Sequence, residues 1–269
     1  MNTFDPSTIS FGDLFLSLLL IVLVLAIVGF LKLPLIKPLL MGTVRSFLQL
    51  ILLGYALQYL FALNSAWQIA LLFLLMIFYA SWEGKRRQKI AIPGYWRLQV
   101  LTLSISLGLI MATVLLIILD LEPWFNPVLV IPVGGMIIGQ ALNGSSVMSN
   151  NLANYFQKQQ LEVETLLSLG ASRYQAALPL IREAVRTAMI PNINALNTVG
   201  LISIPGVLVG AVLGGVDPLT AIKYQILVMY FWTATTTLSC AILAFLISGV
   251  FINHHHQLQR NLFYKLRSS

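Results

Sequence analysis

Residues 11–31 hold one charged side chain, Asp13, and then run apolar until Lys32. Runs of this kind constrain the fold more than any other feature, because others follow at 44–63, 67–82, 98–119, 128–148, 190–213 and 219–252. About 20 apolar residues in a helix cross the hydrocarbon layer of a bilayer. Lipid offers the backbone no hydrogen-bond partners, so each run must satisfy its own N–H and C=O groups as a helix. Charged residues make up 9% of the chain and hydrophobic ones 58%, whereas a soluble domain carries about a quarter charged residues. The expected fold class is an all-α polytopic membrane protein with seven transmembrane helices, one domain over residues 1–269, with the lipid bilayer as its first partner. The first run lacks the basic leader and small-residue cleavage site of a signal peptide and reads as a retained span. Cys240 is the lone cysteine, which leaves no intrachain disulfide and argues against a dithiol redox site.

Charge sets the expected orientation. With seven spans, the loops after the first, third and fifth and the C-terminal tail share one side. Those regions and the adjoining span ends hold every Lys and Arg of the 16 except Lys223. The opposite side holds Asp5, Asp13, Asp120, Glu122 and Asp217. The positive-inside rule then puts the N-terminus outside and the C-terminus in the cytoplasm, in a plasma membrane. The net charge of +7 therefore reports topology, and no nucleic-acid partner is expected.

The segment 150–189 interrupts the apolar pattern, and within it 157–189 reads QKQQLEVETLLSLGASRYQAALPLIREAVRTAM. It is too charged to span a bilayer and too rich in helix formers to be a slack loop. Leu161, Leu166, Leu167 and Leu169 fall mainly on one helical face. Gly170 is a natural helix stop, and Ser172 can cap a second helix carrying Arg173, Arg182, Glu183 and Arg186. The expectation is a cytoplasmic helix pair between spans five and six that docks to a partner.

Candidate chemistry inside the spans is sparse. Arg45 and Gln49 share a helical face in span two. Gln140 and Asn143 lie in span five and Asn197 in span six, and all five are candidates for lining a pathway, or for bonding one helix to another. Gly135 and Gly139 in span five, and Gly206, Gly210 and Gly214 in span six, recur every four residues. Such stripes let helices approach closely, within one subunit or between two. Pro beside Gly in span six also invites a kink. His254, His255 and His256 are the weak candidates for a peripheral metal site, in a tail otherwise read as solvated. Met111, Met136 and Met148 could offer soft ligands and equally read as span filler. No metal site is assigned and no catalytic residue is identified. The chain has no GxxxxGK[ST] phosphate loop, so it does not bind ATP by that route. No span carries an interior Asp or Glu, which argues against a proton-driven carrier.

Glu164, Gly170 and Leu178–Pro179 are similar to the loop that ABC-importer permeases present to their ATPase. The two Ala after the Glu are absent, and Leu-Pro lies closer to the Gly. Longer phrases resemble the FetB family: TVRSFLQLILLG from Thr43, LLSLGASRYQAALPLIREAVRTAMIPNINALNTVGLISIPGVLVGAVLGGVDP from Leu166, and AIKYQI from Ala221. These permeases pair with a FetA-type ATPase and are implicated in iron export, and plant aluminium-tolerance permeases are relatives. The resemblance implies an ABC-type permease domain over the whole chain, working as a homodimer with an ABC ATPase. Glu164, Gly170, Ala171, Ser172, Arg173 and Pro179 would couple to that ATPase. No cofactor would be bound by this chain, with ATP and Mg held in the partner. Where many members read PGMMTGQILGG, residues 205–215 read PGVLVGAVLGG, without the Met, Thr and Gln. A stand-alone channel or secondary carrier with a regulatory cytoplasmic flap is the alternative, and a non-transporting scaffold or sensor is a third reading.

Overall fold

The computed structural model describes residues 10–63, 65–118 and 126–263. Asp5, Asp120, Glu122, Lys265 and Arg267, used above for orientation, lie outside the described residues. Helices dominate: among the described residues, β structure is limited to isolated bridges, such as those of Val199 with Ser203 and Ile252 with Leu258.

The chain forms two units, Met1–Leu63 and Asn64–Ser269. The first holds α1 (Phe11–Phe30) and α2 (Ile36–Phe61). Ser10 caps α1. The Ser10 hydroxyl accepts the N–H of Asp13 at 3.2 Å, while the Asp13 carboxylate accepts the N–H of Ser10 at 2.8 Å. This capping box satisfies two orphan donors and puts an acid at the positive end of the helix. The chain then turns through Lys32 at φ 51. α2 begins at Ile36 rather than 44, because Pro38 falls in its first turn, where no intrahelical N–H is needed.

The second unit holds α3 (Ala66–Arg86), α4 (Tyr95–Thr113, continued by a π-helical turn Val114–Ile118) and α5 (Pro127–Lys158). It continues with α6 (Gln160–Ser168), α7 (Arg173–Thr198), α8 (Gly206–Leu213), α9 (Pro218–Phe251) and a 3-10 turn, Arg260–Leu262. α5, α7 and α9 pack on one another, α4 lies against α9, and α3 bridges α4 and α5. Among the described residues six helical segments are long and apolar enough to cross a membrane: Gly12–Phe30, Ile36–Phe61, Ala66–Arg86, Tyr95–Ile118, Pro127–Lys158 and Pro218–Phe251.

The expected sixth span, 190–213, is not one helix. α7 starts in the polar segment at Arg173 and continues through Pro179 and Pro191 to Thr198. There Val199 turns extended, and Gly200 adopts φ +81. Pro205 follows, lacking the N–H a continuing helix needs and pushing residue 204 toward extended backbone. The helix resumes as α8 for only eight residues. Together α7 and α8 run along α9. Ala176 and Ala177 join the core that holds Phe251, the Thr237 hydroxyl lies 3.5 Å from Met189 Sδ, and Leu208 lines a cavity with Ile222.

α5 and α9, with 32 and 34 residues, are about 48 and 51 Å long at ~1.5 Å per residue. That is roughly 20 Å more than the hydrocarbon layer. Their C-terminal ends build a compact core of their own. Phe156 lies 5.1 Å from Phe251 and 6.5 Å from Phe263, ring centre to ring centre, and Ile90, Tyr95, Val163 and Leu180 pack into the same cluster. Asn150 of α5 ties down the loop after α3, donating to the Arg87 carbonyl at 3.1 Å and accepting the Lys89 N–H at 2.9 Å. The α3–α4 loop, the α5–α7 elbow and the tail therefore meet at one end.

Within one chain the tightest small-residue contacts fall at Gly144 and Gly134, beside the expected Gly135. A methyl group on Gly144 would overlap Thr236 of α9, and one on Gly134 would overlap Phe73 of α3. Gly135 is close to the Met76 methyl, at 3.1 Å from an added Cβ, whereas Gly139, Gly206 and Gly210 have nothing within 4 Å. Gly214 meets only carbonyls of its own helix, and α8 buries none of its residues. Gly144→Ala should therefore lower the thermal midpoint in detergent by the equivalent of about 1–3 kcal/mol of overpacking. Gly139→Ala should leave it unchanged or raise it slightly, since Ala is the better helix former. Equal shifts for the two would show that α5 and α9 are not in close contact at Gly144.

Candidate functional site

The polar elbow is built from two local signals. α6 ends in a Schellman turn: Gly170 donates to the Leu167 carbonyl at 3.1 Å and Ala171 to the Leu166 carbonyl at 3.0 Å, with Gly170 at φ +88. Ser172 then opens α7 with a capping box. Its hydroxyl accepts the Gln175 N–H at 3.3 Å, and Gln175 Oε1 accepts the Ser172 N–H at 2.8 Å. The stop at Gly170 and the cap at Ser172 are where the sequence puts them. The residue that seats α6 is not. Val163 is 1% exposed, in the core with Ala177 and Leu180, while Leu161 and Leu169 are 76% and 79% exposed. Val163 escaped sequence reasoning because it stands between Glu162 and Glu164 in a turn that looks solvated.

The tail folds back across this elbow. Arg260 makes a two-pronged ion pair with Glu164, its Nε donating to Oε1 at 2.6 Å and its terminal nitrogen to Oε2. Arg173 stacks over the Tyr174 ring at 4.6 Å, donates to the Tyr174 hydroxyl at 2.9 Å and lies 3.3 Å from His254 Nδ1. Asn253 closes the turn between them, its Oδ1 accepting the N–H groups of His255 and Gln257 at 3.0 and 2.9 Å. His254, His255 and His256 are exposed, and His255 and His256 border a cavity of about 460 Å³ with Glu164 and Ser168. Among the described residues no group of three or more His, Cys, Asp or Glu could hold a metal ion. Ala171 is half-buried and Pro179 is exposed on α7.

The pathway candidates are dispersed. Arg45 and Gln49 belong to α2 of the first unit. Gln140 is half-buried on α5, and Asn197 is exposed in the last turn of α7. Asn143 accepts a hydrogen bond from Arg87 at 2.8 Å, so its amide ties α5 to the end of α3. Sequence reasoning missed the α4 side of a buried polar seam. Gln99 of α4 donates to Ser145 of α5 at 2.8 Å, and Thr102 and Ser106 follow on the same face of α4. Thr236 and Ser239 of α9 are buried too, and these four hydroxyls and Gln99 Oε1 lack a partner among the described residues. The spacing 99, 102, 106 is one helical face and was readable as such.

The Arg260 guanidinium, hydrogen-bonded to Glu164, holds that carboxyl below its ordinary value. A depressed folded-state value means the contact stabilises at pH above the unfolded carboxylate value and is lost as pH falls through the folded one. The protection of amides in 253–263, relative to their intrinsic exchange rates, should therefore fall several-fold as acid protonates Glu164, and at neutral pH in Arg260→Gln, with the protection of α9 unchanged. Uniform exchange in both forms would show that the ion pair does not hold the tail.

The family described as "Uncharacterised protein family (UPF0014)" matches residues 11–252. The chain is 36% identical over 246 residues to "Probable iron export permease protein FetB" of Escherichia coli (strain K12), covering 91% of this chain and 93% of that protein. It is 35% identical over 219 residues to "Protein ALUMINUM SENSITIVE 3" of Arabidopsis thaliana, covering 81% and 79%, and 36% identical over 214 residues to "UPF0014 membrane protein slr1647" of Synechocystis, covering 80% and 83%. No solved structure matches the chain. The resemblance extends over the apolar helices, the elbow and the broken segment alike, and the chain belongs to this family of multi-pass membrane permeases.

Proposed function

We propose that this chain is the transmembrane subunit of an ABC transporter, paired with a separate ATPase and exporting iron or another metal across the plasma membrane. The observation that carries the reading is the elbow. Leu161 and Leu169 stand almost fully exposed on a charged segment at the end of the bundle that gathers the basic loops. Apolar side chains in such a place suit burial in a groove of a second protein. The sequence has no phosphate loop of its own, so energy must come from a partner, and a relative carries the name of an iron export permease.

In this reading α7 and α8 together make a seventh, broken crossing, which puts the N-terminus outside and the elbow in the cytoplasm, as the charge distribution favours. Two copies pair, and two ATPases sit beneath 157–189. α7 is one helix from the elbow at Arg173 to Thr198. A push on Arg173 by a closing ATPase therefore tilts it as a rigid lever, with the 199–205 break as the hinge. Within the second unit Gln140, Asn143 and Asn197 are the candidates for the path, together with the seam at Gln99 and Ser145, and Gln49 is assigned to it from the sequence alone.

Co-expression with the FetA-type ATPase should yield a complex that the double variant Leu161→Asp, Leu169→Asp weakens at least tenfold without changing its thermal midpoint. Transport at the full rate with no ATPase present would overturn the assignment. Metal should stimulate ATP hydrolysis by the reconstituted pair. Ala at all four of Gln49, Gln140, Asn143 and Asn197 should lower metal resistance; undiminished resistance would remove them from the path.

A further inference from the structure

One face of α3 changes character in a fixed order toward its C-terminal end. Leu75, Phe78, Tyr79 and Trp82 are exposed on it, and exposed Lys85 and Arg86 follow at the spacing of the same face. With 21 residues at ~1.5 Å each, α3 matches the hydrocarbon layer of about 30 Å, so its last turn stands at the level of the lipid headgroups. The Arg86 guanidinium lies over the Trp82 ring, 4.8 Å from its centre, and Trp82 packs against Tyr79. On α4, Trp96 stacks on Phe78 at 5.6 Å and is followed by exposed Arg97. Residues 83–89 carry Lys85, Arg86, Arg87 and Lys89 against one acid, Glu83, which lies 3.9 Å from Arg86 and 3.6 Å from Arg87. Positive charge is therefore in excess. The loop that carries it is pinned, because Asn150 accepts the Lys89 N–H and donates to the Arg87 carbonyl, and Arg87 donates to Asn143 at 2.8 Å. Cations fixed beside a half-exposed indole form a prepared surface.

We propose that this end of α3 holds an anionic phospholipid. Its phosphate sits on Arg86 and Lys85, its glycerol ester region on Trp82, and an acyl chain along Phe78 and Leu75. A guanidinium offers a phosphate two parallel N–H donors, and an indole suits the boundary between hydrocarbon and headgroups. Net charge selects the headgroup. Phosphatidylcholine brings a cation of its own, which the excess positive charge repels, whereas an anionic headgroup is attracted. A soluble anion could use the cations but would leave the apolar face beneath them uncovered. A phospholipid covers both in one molecule. The surface belongs to α3 and α4 within the second unit of one chain, so it stands whether or not an ATPase drives the protein.

Native mass spectrometry of the full chain in neutral detergent reads lipid binding directly, using phosphatidylglycerol and phosphatidylcholine with the same acyl chains. We expect one phosphatidylglycerol retained per chain, with a preference of roughly tenfold over phosphatidylcholine. The double variant Lys85→Gln, Arg86→Gln should remove most of that preference and leave the thermal midpoint in phosphatidylcholine unchanged. Trp82→Leu should weaken phosphatidylglycerol retention with every cation still in place, and Arg86→Lys should keep part of it. Millimolar inorganic phosphate should not displace the lipid. Equal affinity for the two lipids would overturn the proposal. So would an equal loss in Arg182→Gln, Arg186→Gln, which removes the same charge from exposed positions on α7. Displacement by inorganic phosphate would point instead to a soluble anion. Loss of ATPase binding in the Lys85, Arg86 double variant, with phosphatidylglycerol retention unchanged, would assign the surface to that protein and overturn the lipid site.

Discussion

The contact between α5 and α9 is the constraint on which the second unit depends. Both helices are longer than a bilayer is thick, and Gly144 lets them come together at Thr236 where any side chain would intrude. In lipid this kind of close backbone approach replaces the hydrophobic drive that assembles soluble cores. Their shared excess length then emerges at one end, where water restores that drive. Phe156, Phe251 and Phe263 bury one another there as a soluble core would. One pair of helices thus belongs to two solvents, and the rest of the unit is placed relative to it.

The elbow is stable because it stands on that core. Val163 plugs α6 into it, and Ala176, Ala177 and Leu180 plug in the start of α7. The tail adds a strap from the far end of the sequence, through Arg260 on Glu164 and Phe263 among the aromatic rings. A surface-exposed ion pair contributes little by itself, so the seating of Phe263 is the stronger half of that strap. What the elbow presents outward is the remainder, Leu161 and Leu169, apolar and uncovered. A segment fastened this firmly on one face and unfinished on the other is suited to passing force inward.

The polar groups inside the bundle fall into two kinds. Asn143 and Asn150 are satisfied and serve as ties between α5 and the end of α3. Gln99 is half satisfied, and Thr102, Ser106, Thr236 and Gln225 are buried without partners among the described residues. Each unpaired group in an apolar interior costs on the order of 1–3 kcal/mol, a cost that packing did not impose. They lie in two places, the α4–α5–α9 seam and the early turns of α9 beside the helix break.

The apolar helices were legible in the sequence because backbone satisfaction in lipid is a local demand, met by each run on its own. The Gly170 stop and the Ser172 cap were legible for the same reason, as their partners lie within four residues. The break after Thr198 was half legible. Pro205 beside Gly206 announced a kink, yet an apolar composition across 190–213 suggested a continuous span. Only tertiary structure decided which glycines are pressed, Gly144 and Gly134 rather than Gly139, because that depends on what stands opposite. It alone joined Glu164 to Arg260, turned Val163 inward and buried Gln225 without a partner among the described residues. Those are relations between residues far apart in the chain, and no local period or cap encodes them.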